Sequence, residues 1–330
     1  MTRSLTLSFL LALLCIGLLF FSAIVGTAPL PISETLGALL GQGSESARII
    51  VWEIRLPRAF AAFGVGAALG LAGAGLQGLL QNPLAGPGVL GVSAFAALGA
   101  VIAIYFGFTN AGSWGVPIAA ISFAGLAVAL LLFAAGRGAS TVTLLLVGIG
   151  LSSFAGALTS LALNLAPNPF ALSDLINWLL GSVANRSWGD SLIALPAWLI
   201  GAFLVILAGP GLRALSLGEE TAASLGANPY SIRILIIVGT SLLAGASVAV
   251  AGTIGFVGMV APHIVRPMVG HDPQRVLIPS ALLAGALLLA ADLLVRVAPF
   301  DQELKLGVAA ALFGAPVFIW IASRLDGAPR

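Results

Sequence analysis

Ten apolar runs divide the chain, and this division constrains its fold more than any other feature. Glycine, proline or charged residues bound the runs, and only 8% of the sequence is charged, against about 25% in an ordinary soluble domain. A helix needs about 20 apolar residues to cross a bilayer. The sequence therefore predicts an all-α polytopic membrane protein, a single transmembrane domain over residues 1–330 with about ten spanning helices. The runs lie near 5–27, 58–80, 89–107, 115–136, 141–165, 190–209, 231–251, 255–268, 275–297 and 304–323; the eighth is short, and its crossing stays open.

The first run has two interpretations. Arg3 precedes it and Gly26 to Ala28 follow it, an order that also fits a cleaved signal peptide. Because the run is long enough to span and further spans follow, we expect an uncleaved first helix. Ten crossings then put both termini on the cytoplasmic side of a bacterial inner membrane. Of the 14 basic residues, eight fall in inner segments and six in outer ones, a weak bias in the expected direction.

Composition disfavours several classes of function. A net charge of +2 gives no basis for a nucleic-acid partner. One cysteine, Cys15, and two histidines are too few for a metal site, and we expect no catalytic residues. The single lysine, Lys305, has no P-loop around it, so we expect no bound cofactor and no ATP hydrolysis by this chain. Any use of ATP would fall to a partner subunit.

Three arginines mark the predicted outer side. Arg55 and Arg58 stand three apart at the start of the second run, and thus on one helix face, while Arg296 ends the ninth run. The positive-inside rule disfavours arginine on this side. Asp292 can pair with Arg296 four residues later. We interpret the arginines as a basic rim that receives carboxylates of a partner; snorkelling to lipid headgroups is the alternative.

The longest polar segment, about 212–230, falls on the predicted inner side. Ser216 and Glu219 have the spacing of a capping box, and Gly226 is placed to end a short helix. Asn228 and Pro229 can then start the next span. We interpret the segment as a docking surface for a cytoplasmic partner, with a stabilised connection as the alternative. The surface residues are Glu219, Glu220, Thr221, Ala222 and Gly226.

A weak internal repeat suggests inverted halves. Residues 66–73 and 83 match 245–252 and 262 at a constant offset of 179. Helices five crossings apart run in opposite directions, which is the inverted-repeat pattern of many transporters. Close packing of small residues is the simpler explanation, and we prefer it for Gly66, Gly70, Gly73 and Gly75.

Several motifs follow one another along nearly the whole chain. They are Arg-Leu-Pro-Arg at 55–58, Gln-Asn-Pro-Leu-Ala at 81–85, Leu-Gly-Glu-Glu-Thr-Ala at 217–222, Gly-Phe-Val-Gly at 255–258, Ala-Pro-His-Ile-Val-Arg at 261–266 and Gly-Ala-Pro at 314–316. In this order they resemble the FecCD-type permeases of type II ABC importers, which move iron-siderophores, haem and vitamin B12. One departure is visible before the last run. Where that family commonly reads Glu-Leu-Pro-x-Gly, this chain has Lys305 in place of the proline, so the shape of that outer corner stays open.

The resemblance implies a homodimer with the substrate path at its interface. It also implies two cytoplasmic ATP-binding subunits, which would seat the inner segment. A periplasmic binding protein would dock on Arg55, Arg58 and Arg296. Two short inner turns would form a gate near the dimer axis, with plain helix capping as the alternative. The gate residues are Asn82, Leu84, Ser140, Thr141 and Val142.

The sequence does not select a substrate. We expect an iron-siderophore because that branch of the family is the most numerous, with haem and cobalamin as alternatives. An ion-coupled secondary transporter is the alternative of another class. It would also show an inverted repeat, but it needs ionisable residues in mid-membrane, where only Asp292 comes near.

Overall fold

The computed structural model of the chain describes residues 2–26, 28–108, 114–135, 141–298 and 303–325. Regular structure within these ranges is helical throughout. A π-helical turn, Ile50–Arg55, runs directly into the second long helix. The α-helices are α1 (Thr2–Ile24), α2 (Ile32–Leu39), α3 (Glu45–Ile49), α4 (Leu56–Leu80), α5 (Val92–Tyr105), α6 (Gly115–Ala135), α7 (Thr141–Asn164), α8 (Pro169–Leu179), α9 (Trp188–Leu207), α10 (Gly209–Leu215), α11 (Glu219–Ser224), α12 (Pro229–Ala251), α13 (Val257–Met268), α14 (Pro273–Val297) and α15 (Leu306–Leu325).

The predicted membrane helices are confirmed. Among the described residues, seven segments are long and apolar enough to cross a bilayer: α1, the run from α3 through α4, α6, α7, α9, α12 and α14. Two shorter apolar helices, α5 and the first part of α15, and the 12-residue α13 match the remaining predicted runs. At about 1.5 Å per residue, α13 is roughly 18 Å long, less than a hydrocarbon core of about 30 Å. By itself, the helix of the eighth run is therefore shorter than the core.

The glycine-rich helix α4 lies at the centre of the bundle. It packs against α14, α12, α13 and α9. A β-carbon added at Gly66 or Gly70 would lie 2.5 Å from a backbone oxygen of α14. One added at Gly73 would lie 1.6 Å from the carbonyl oxygen of Gly258 in α13. The predicted packing role of these three glycines is confirmed, since only the absence of a side chain lets the backbones approach this closely.

Gly73→Ala is expected to destabilise the bundle, because α4 and α13 must separate to admit the methyl group. Overpacking of this kind costs about 1–3 kcal/mol or more. The midpoint of thermal unfolding of the purified chain in detergent should fall. Gly17→Ala in α1 is the matched control, since an added carbon there has nothing within 4 Å. Equal midpoints for the two variants would contradict the close contact.

The 179-residue offset relates equivalent structures only in part, since residues 66–72 and 245–251 lie inside α4 and α12 but the two later matches differ. Gly73 lies inside α4, whereas Gly252 ends α12 with φ of 69°. Pro83 lies in the turn after α4, whereas Pro262 lies inside α13. The correspondence therefore holds inside the two helices and ends where α12 ends, at Gly252.

Two side-chain contacts show which connections share an end of the bundle. Gln81 Nε2, just after α4, donates to the carbonyl oxygen of Leu215 in α10 at 2.8 Å. We name this the α10–α11 end. Trp188 Nε1, at the start of α9, donates to the carbonyl oxygen of Trp52 in the π-helical turn at 2.8 Å. We name this the π-turn end; it includes the short helices α2 and α3, which hydropathy did not predict.

Candidate functional site

An open apolar groove follows the side of the bundle formed by α5, α7, α13 and α15. Two adjoining cavities of about 650 and 600 Å³ meet at Thr253, Gly255 and Phe256, in the connection between α12 and α13. Ser152 of α7 lines the first cavity and Leu312 of α15 lines the second. No charged residue or histidine belongs to the described lining of either cavity. The groove can therefore pass a bulky ligand while offering few groups that would hold it tightly.

Three helix ends meet beside the groove at Gly181, Gly252 and Gly307. The backbone N–H of Gly307 donates to the carbonyl oxygen of Gly181 at 3.1 Å. The hydroxyl of Thr253 donates to the carbonyl oxygen of Leu179. A β-carbon added at Gly181 would lie 2.4 Å from the carbonyl oxygen of Thr253, and one added at Gly307 would lie 2.3 Å from the carbonyl oxygen of Leu180. Gly181 and Gly252 also have positive φ, 72° and 69°. We name these three residues the glycine junction.

The sequence reasoning missed the glycine junction. A local signal was present for Gly252 alone, which directly follows the predicted run 231–251, where glycine is typical of a helix end. What the sequence could not indicate is that three ends so far apart in the chain converge. The junction also settles the corner before α15. At this corner Gly307 makes the backbone contact with Gly181. Lys305 contributes its carbonyl oxygen, which accepts from the N–H of Ala309 at 3.1 Å. A proline at position 305 would supply the same carbonyl oxygen.

The turn after α4 contains the described part of the predicted gate. Gln81 has φ of 48°, and Asn82 Oδ1 accepts from the N–H of Leu84 at 2.9 Å, which fixes a compact turn. Leu84 is exposed and Asn82 half-buried, while Val142 near the start of α7 is exposed. Ser140 lies outside the described residues, and the side chain of Thr141 is not described. The gate stays a prediction.

A buried charge cluster occupies the π-turn end. Arg58 reaches Asp292 of α14 with Nε at 3.0 Å and Nη2 at 2.8 Å from the same Oδ1, and it also pairs with Glu303. Asp292 is fully buried and pairs with Arg296 as well. The expected Asp292–Arg296 pair is therefore present, with Arg58 as a second partner that the sequence did not indicate. The cluster ties α4 to α14 and to the segment leading into α15.

Arg55 and Arg296 bind the end of α1 rather than solvent. Arg55 donates to the carbonyl oxygens of Ala23, Ile24 and Ala28 at 2.7–2.8 Å. Arg296 Nη1 donates to the carbonyl oxygen of Ser22 at 3.2 Å. The carbonyls of Ser22, Ala23 and Ile24 belong to the last turn of α1, where a helix leaves its carbonyl groups without partners.

The prediction of an exposed basic rim is thus wrong for two of its three residues. Arg55 and Arg296 are only 3% and 7% exposed, because their guanidinium groups are used inside the fold. The side chain of Arg58 is 12% exposed and reaches the surface through its contact with Glu303. Docking of a binding protein at this end stays a prediction, with Arg58 as the arginine that a partner could reach.

The α10–α11 end carries a helical projection, which consists of α11 with its flanking residues, 217–226. We name it the α10–α11 projection. Gly226 has φ of 83°, and the N–H groups of Gly226 and Ala227 donate to the carbonyls of Ala223 and Ala222 at 3.0 Å, which closes α11 as predicted. Asn228 caps α12 by accepting from the N–H of Tyr230 at 3.1 Å. The predicted helix end and the predicted cap are both confirmed.

Two local predictions for this projection are wrong. Ser216 does not cap α11: it ends α10, and its hydroxyl donates to the carbonyl oxygen of Arg213 at 2.7 Å. Gly218 precedes α11 instead, and Glu219 pairs with Arg233 of α12. Ala222 is fully buried, so it anchors the projection and is no part of its surface. The exposed predicted residues are Glu219, Glu220, Thr221 and Gly226.

Broken helices around an open apolar groove, within a bundle of membrane helices, define a transport permease. The chain belongs to the FecCD transport family, whose family model matches residues 13–324. It is thus a permease of the ABC importers, a multi-pass membrane protein of the all-α type II fold.

Curated relatives and a solved structure share this fold and class. The chain is 40% identical over 296 residues to the uncharacterized ABC transporter permease YvrB of Bacillus subtilis, covering 88% of this chain and 83% of the relative. It is 41% identical over 284 residues to the vitamin B12 import system permease BtuC of Salmonella typhimurium, covering 84% and 85%. A metal-chelate type ABC transporter in an inward-facing conformation superposes with a TM-score of 0.87 at 30% identity, covering 97% and 99%.

Proposed function

We propose that this permease forms, with a second copy of itself, the path by which a metal chelate enters the cell. The observation that carries the proposal is the open groove with no charge or histidine in its described lining. A chelate arrives with its metal already liganded, so its path needs width and weak contacts rather than metal ligands. An iron-siderophore is the first choice, with haem and cobalamin as alternatives; the similarity to vitamin B12 permeases supports the last of these.

The shape of the isolated chain supports the dimer. The groove is open along one side, and large apolar side chains on α7 and α15 flank it in exposed positions. A second copy placed against this side would close the groove into a path and cover those side chains. They are Ile149 and Leu312.

The proposed partners follow from the two ends of the bundle. Two ATP-binding subunits would seat the α10–α11 projection in the cytoplasm, since this chain has no P-loop of its own. Both termini then lie on the cytoplasmic side of the bacterial inner membrane, and a periplasmic binding protein meets the π-turn end. An ion-coupled secondary transporter is less well supported, because Asp292, fully buried, is paired with two arginines rather than free to carry an ion.

Uptake into proteoliposomes tests the proposed function. The permease would be reconstituted with its ATP-binding subunits and binding protein, and radiolabelled ferric siderophore, haem and cobalamin offered in turn. We expect ATP-dependent uptake of one of the three. Ile149→Trp, which narrows the groove, should block it, whereas Phe133→Trp on the exposed face of α6 should not. If none of the three is taken up in an ATP-dependent manner, the proposed chelate substrate is rejected. Uptake driven by an ion gradient without ATP would favour a secondary transporter.

The gate predicts contacts that change with nucleotide state. Single cysteines at Asn82 and Thr141, in a Cys15→Ala background, should crosslink across the dimer or change in reactivity when ATP binds. The physical reason is that Gln81 is bonded to α10, so movement of the α10–α11 projection reaches the adjacent turn. Phe133→Cys on α6 is the control for labelling that is independent of state. Equal labelling of Asn82→Cys and Thr141→Cys in every state would favour plain helix capping.

Docking at the π-turn end predicts an effect of Glu303. Glu303 pairs with Arg58 in the free chain, so a carboxylate of the binding protein must compete with it. Glu303→Gln should therefore lower the Kd for the binding protein several-fold, most clearly at low salt. Glu53→Gln, at an exposed position of the same end, is the matched control. Identical salt-dependent affinities of the two variants would argue against docking on Arg58.

A further inference from the structure

A polar cavity of about 230 Å³ lies at the α10–α11 end, apart from the groove. It is enclosed by α4, α13, α14 and the segment that follows α10. At about 30 Å³ per water molecule it has room for roughly seven waters, and hence for a small hydrated oxyanion. Its polar lining consists of Gln77, Gln81, Ser216, Arg266 and His271.

Arg266 is a half-buried cation with a single side-chain partner. Its Nη2 donates to Gln77 Oε1 at 2.9 Å. Gln77 is fully buried, and its Nε2 donates to the carbonyl oxygen of Met259 at 3.2 Å, which turns the amide oxygen toward the guanidinium. Within the described ranges no carboxylate pairs with Arg266, and no acceptor is bonded to its Nε or Nη1. These N–H groups are available to a ligand in the cavity.

The backbone holds Arg266 in place. The N–H of His271 donates to the carbonyl oxygen of Arg266 at 3.0 Å, closing the end of α13. Gly270 and His271 both have positive φ, 75° and 62°, as this closure requires. This closure fixes the backbone of Arg266, and the hydrogen bond to Gln77 orients its guanidinium group.

The surroundings of Arg266 carry a surplus of positive charge. Asp272, next to His271, is the nearby carboxylate, but it contacts Arg275 at 3.2 Å and Arg213 at 3.5 Å. It also accepts from the N–H of Gln274 at 3.0 Å as the cap of α14. Asp272 is therefore shared by Arg213 and Arg275 and does not pair with Arg266. A partly buried cation without a counter-charge is costly, and basic pockets between membrane helices are typical sites for phosphate headgroups.

We propose that this cavity binds a phosphate-type oxyanion, with Arg266 as its principal ligand and His271 at its rim. The same chemistry has two sources, the headgroup of an anionic phospholipid and free inorganic phosphate. The site is separate from the groove, so the proposal does not depend on which substrate the permease carries.

Lipid retention and thermal shift distinguish the sources. The full chain would be purified in a neutral detergent. In one titration phosphatidylglycerol is compared with phosphatidylcholine, and in another inorganic phosphate is compared with chloride at equal ionic strength. Bound lipid would be read by native mass spectrometry and anion binding by the unfolding midpoint. Arg266→Gln keeps a hydrogen-bonding side chain but removes the charge, Arg266→Lys keeps the charge, and Arg275→Gln is a matched control at an exposed arginine of the same end.

We expect Arg266→Gln to bind the anion at least about tenfold more weakly than the parent, with Arg275→Gln unchanged and Arg266→Lys intermediate. Selective retention of phosphatidylglycerol over phosphatidylcholine, lost in Arg266→Gln, would assign a lipid headgroup. A midpoint raised by phosphate but not chloride, in an Arg266-dependent manner, would assign the free anion. Absence of both effects in the parent, or equal effects in Arg266→Gln and the parent, would overturn the proposal. If Arg266→Gln fails to fold, Arg266→Lys carries the comparison, and binding equal to that of the parent would overturn the proposal.

Discussion

Deletion of residues 217–226 is expected to leave a chain that inserts in the membrane but cannot take up substrate. The segment forms the α10–α11 projection, and its apolar side chains point into solvent: Leu217 is 61% and Leu225 66% exposed. Exposed apolar residues beside Glu220, on a helix closed by Gly226, suit a contact with another protein. Motion driven by ATP can open a path only when the two proteins share a rigid contact.

Point substitutions sharpen this test. Leu225→Asp should lower ATP-driven uptake at least about tenfold, the effect expected at the centre of an interface. Exposed Leu40→Asp, at the π-turn end, is the matched control and should transport normally. Membrane insertion would be checked by yield and gel filtration with the partner subunits. Normal uptake by a correctly inserted deletion variant would rule out the coupling role and leave the projection as a stabilised connection.

Asp292→Ala is expected to cause the largest loss of stability among substitutions of charged residues. Asp292 is fully buried between Arg58 and Arg296, so its removal leaves two guanidinium groups without their shared counter-charge. Breaking a buried pair by removing one partner costs about 3–5 kcal/mol. The unfolding midpoint in detergent should fall clearly, and expression should fall with it.

Two comparisons make the result specific. Asp174→Ala removes an exposed carboxylate from α8 and should leave the midpoint nearly unchanged. Asp292→Ala combined with Arg296→Met should recover part of the loss, because it removes the guanidinium group left unpaired, while Arg58 keeps Glu303 as a partner. A midpoint for Asp292→Ala equal to that of Asp174→Ala would contradict the cluster as the lock between α4 and α14.

Local signals predicted the pieces of the fold that depend on neighbouring residues. Asn228 with Pro229 and the closure at Gly226 lie where expected, because a cap or a left-handed helix end involves groups only a few residues apart. Ser216 shows the limit of such signals. Its spacing to Glu219 fits a capping box, yet α10 extends to Leu215, and Ser216 ends that helix instead.

The charged residues at the π-turn end needed the tertiary structure. Arg58 and Asp292 are separated by 234 positions, and nothing local to either residue indicates the other. The same holds for Arg55, which donates a hydrogen bond to the carbonyl oxygen of Ile24 in α1, 31 positions earlier in the chain. The sequence placed these arginines at the correct helix ends but could not say whether they face solvent.

The sequence by itself determined the class of the protein and the order of its apolar segments, because hydropathy over about 20 residues reports the solvent of each segment directly. Its ordered motifs identified the family, which the match over residues 13–324 confirms. Only the tertiary structure decided that Arg55 and Arg296 are internal, that Gly181, Gly252 and Gly307 meet beside an open groove, and that Arg266 faces a polar cavity with no carboxylate partner among the described residues. The physical reason is that burial and pairing depend on contacts between distant segments, and packing of whole helices sets those contacts.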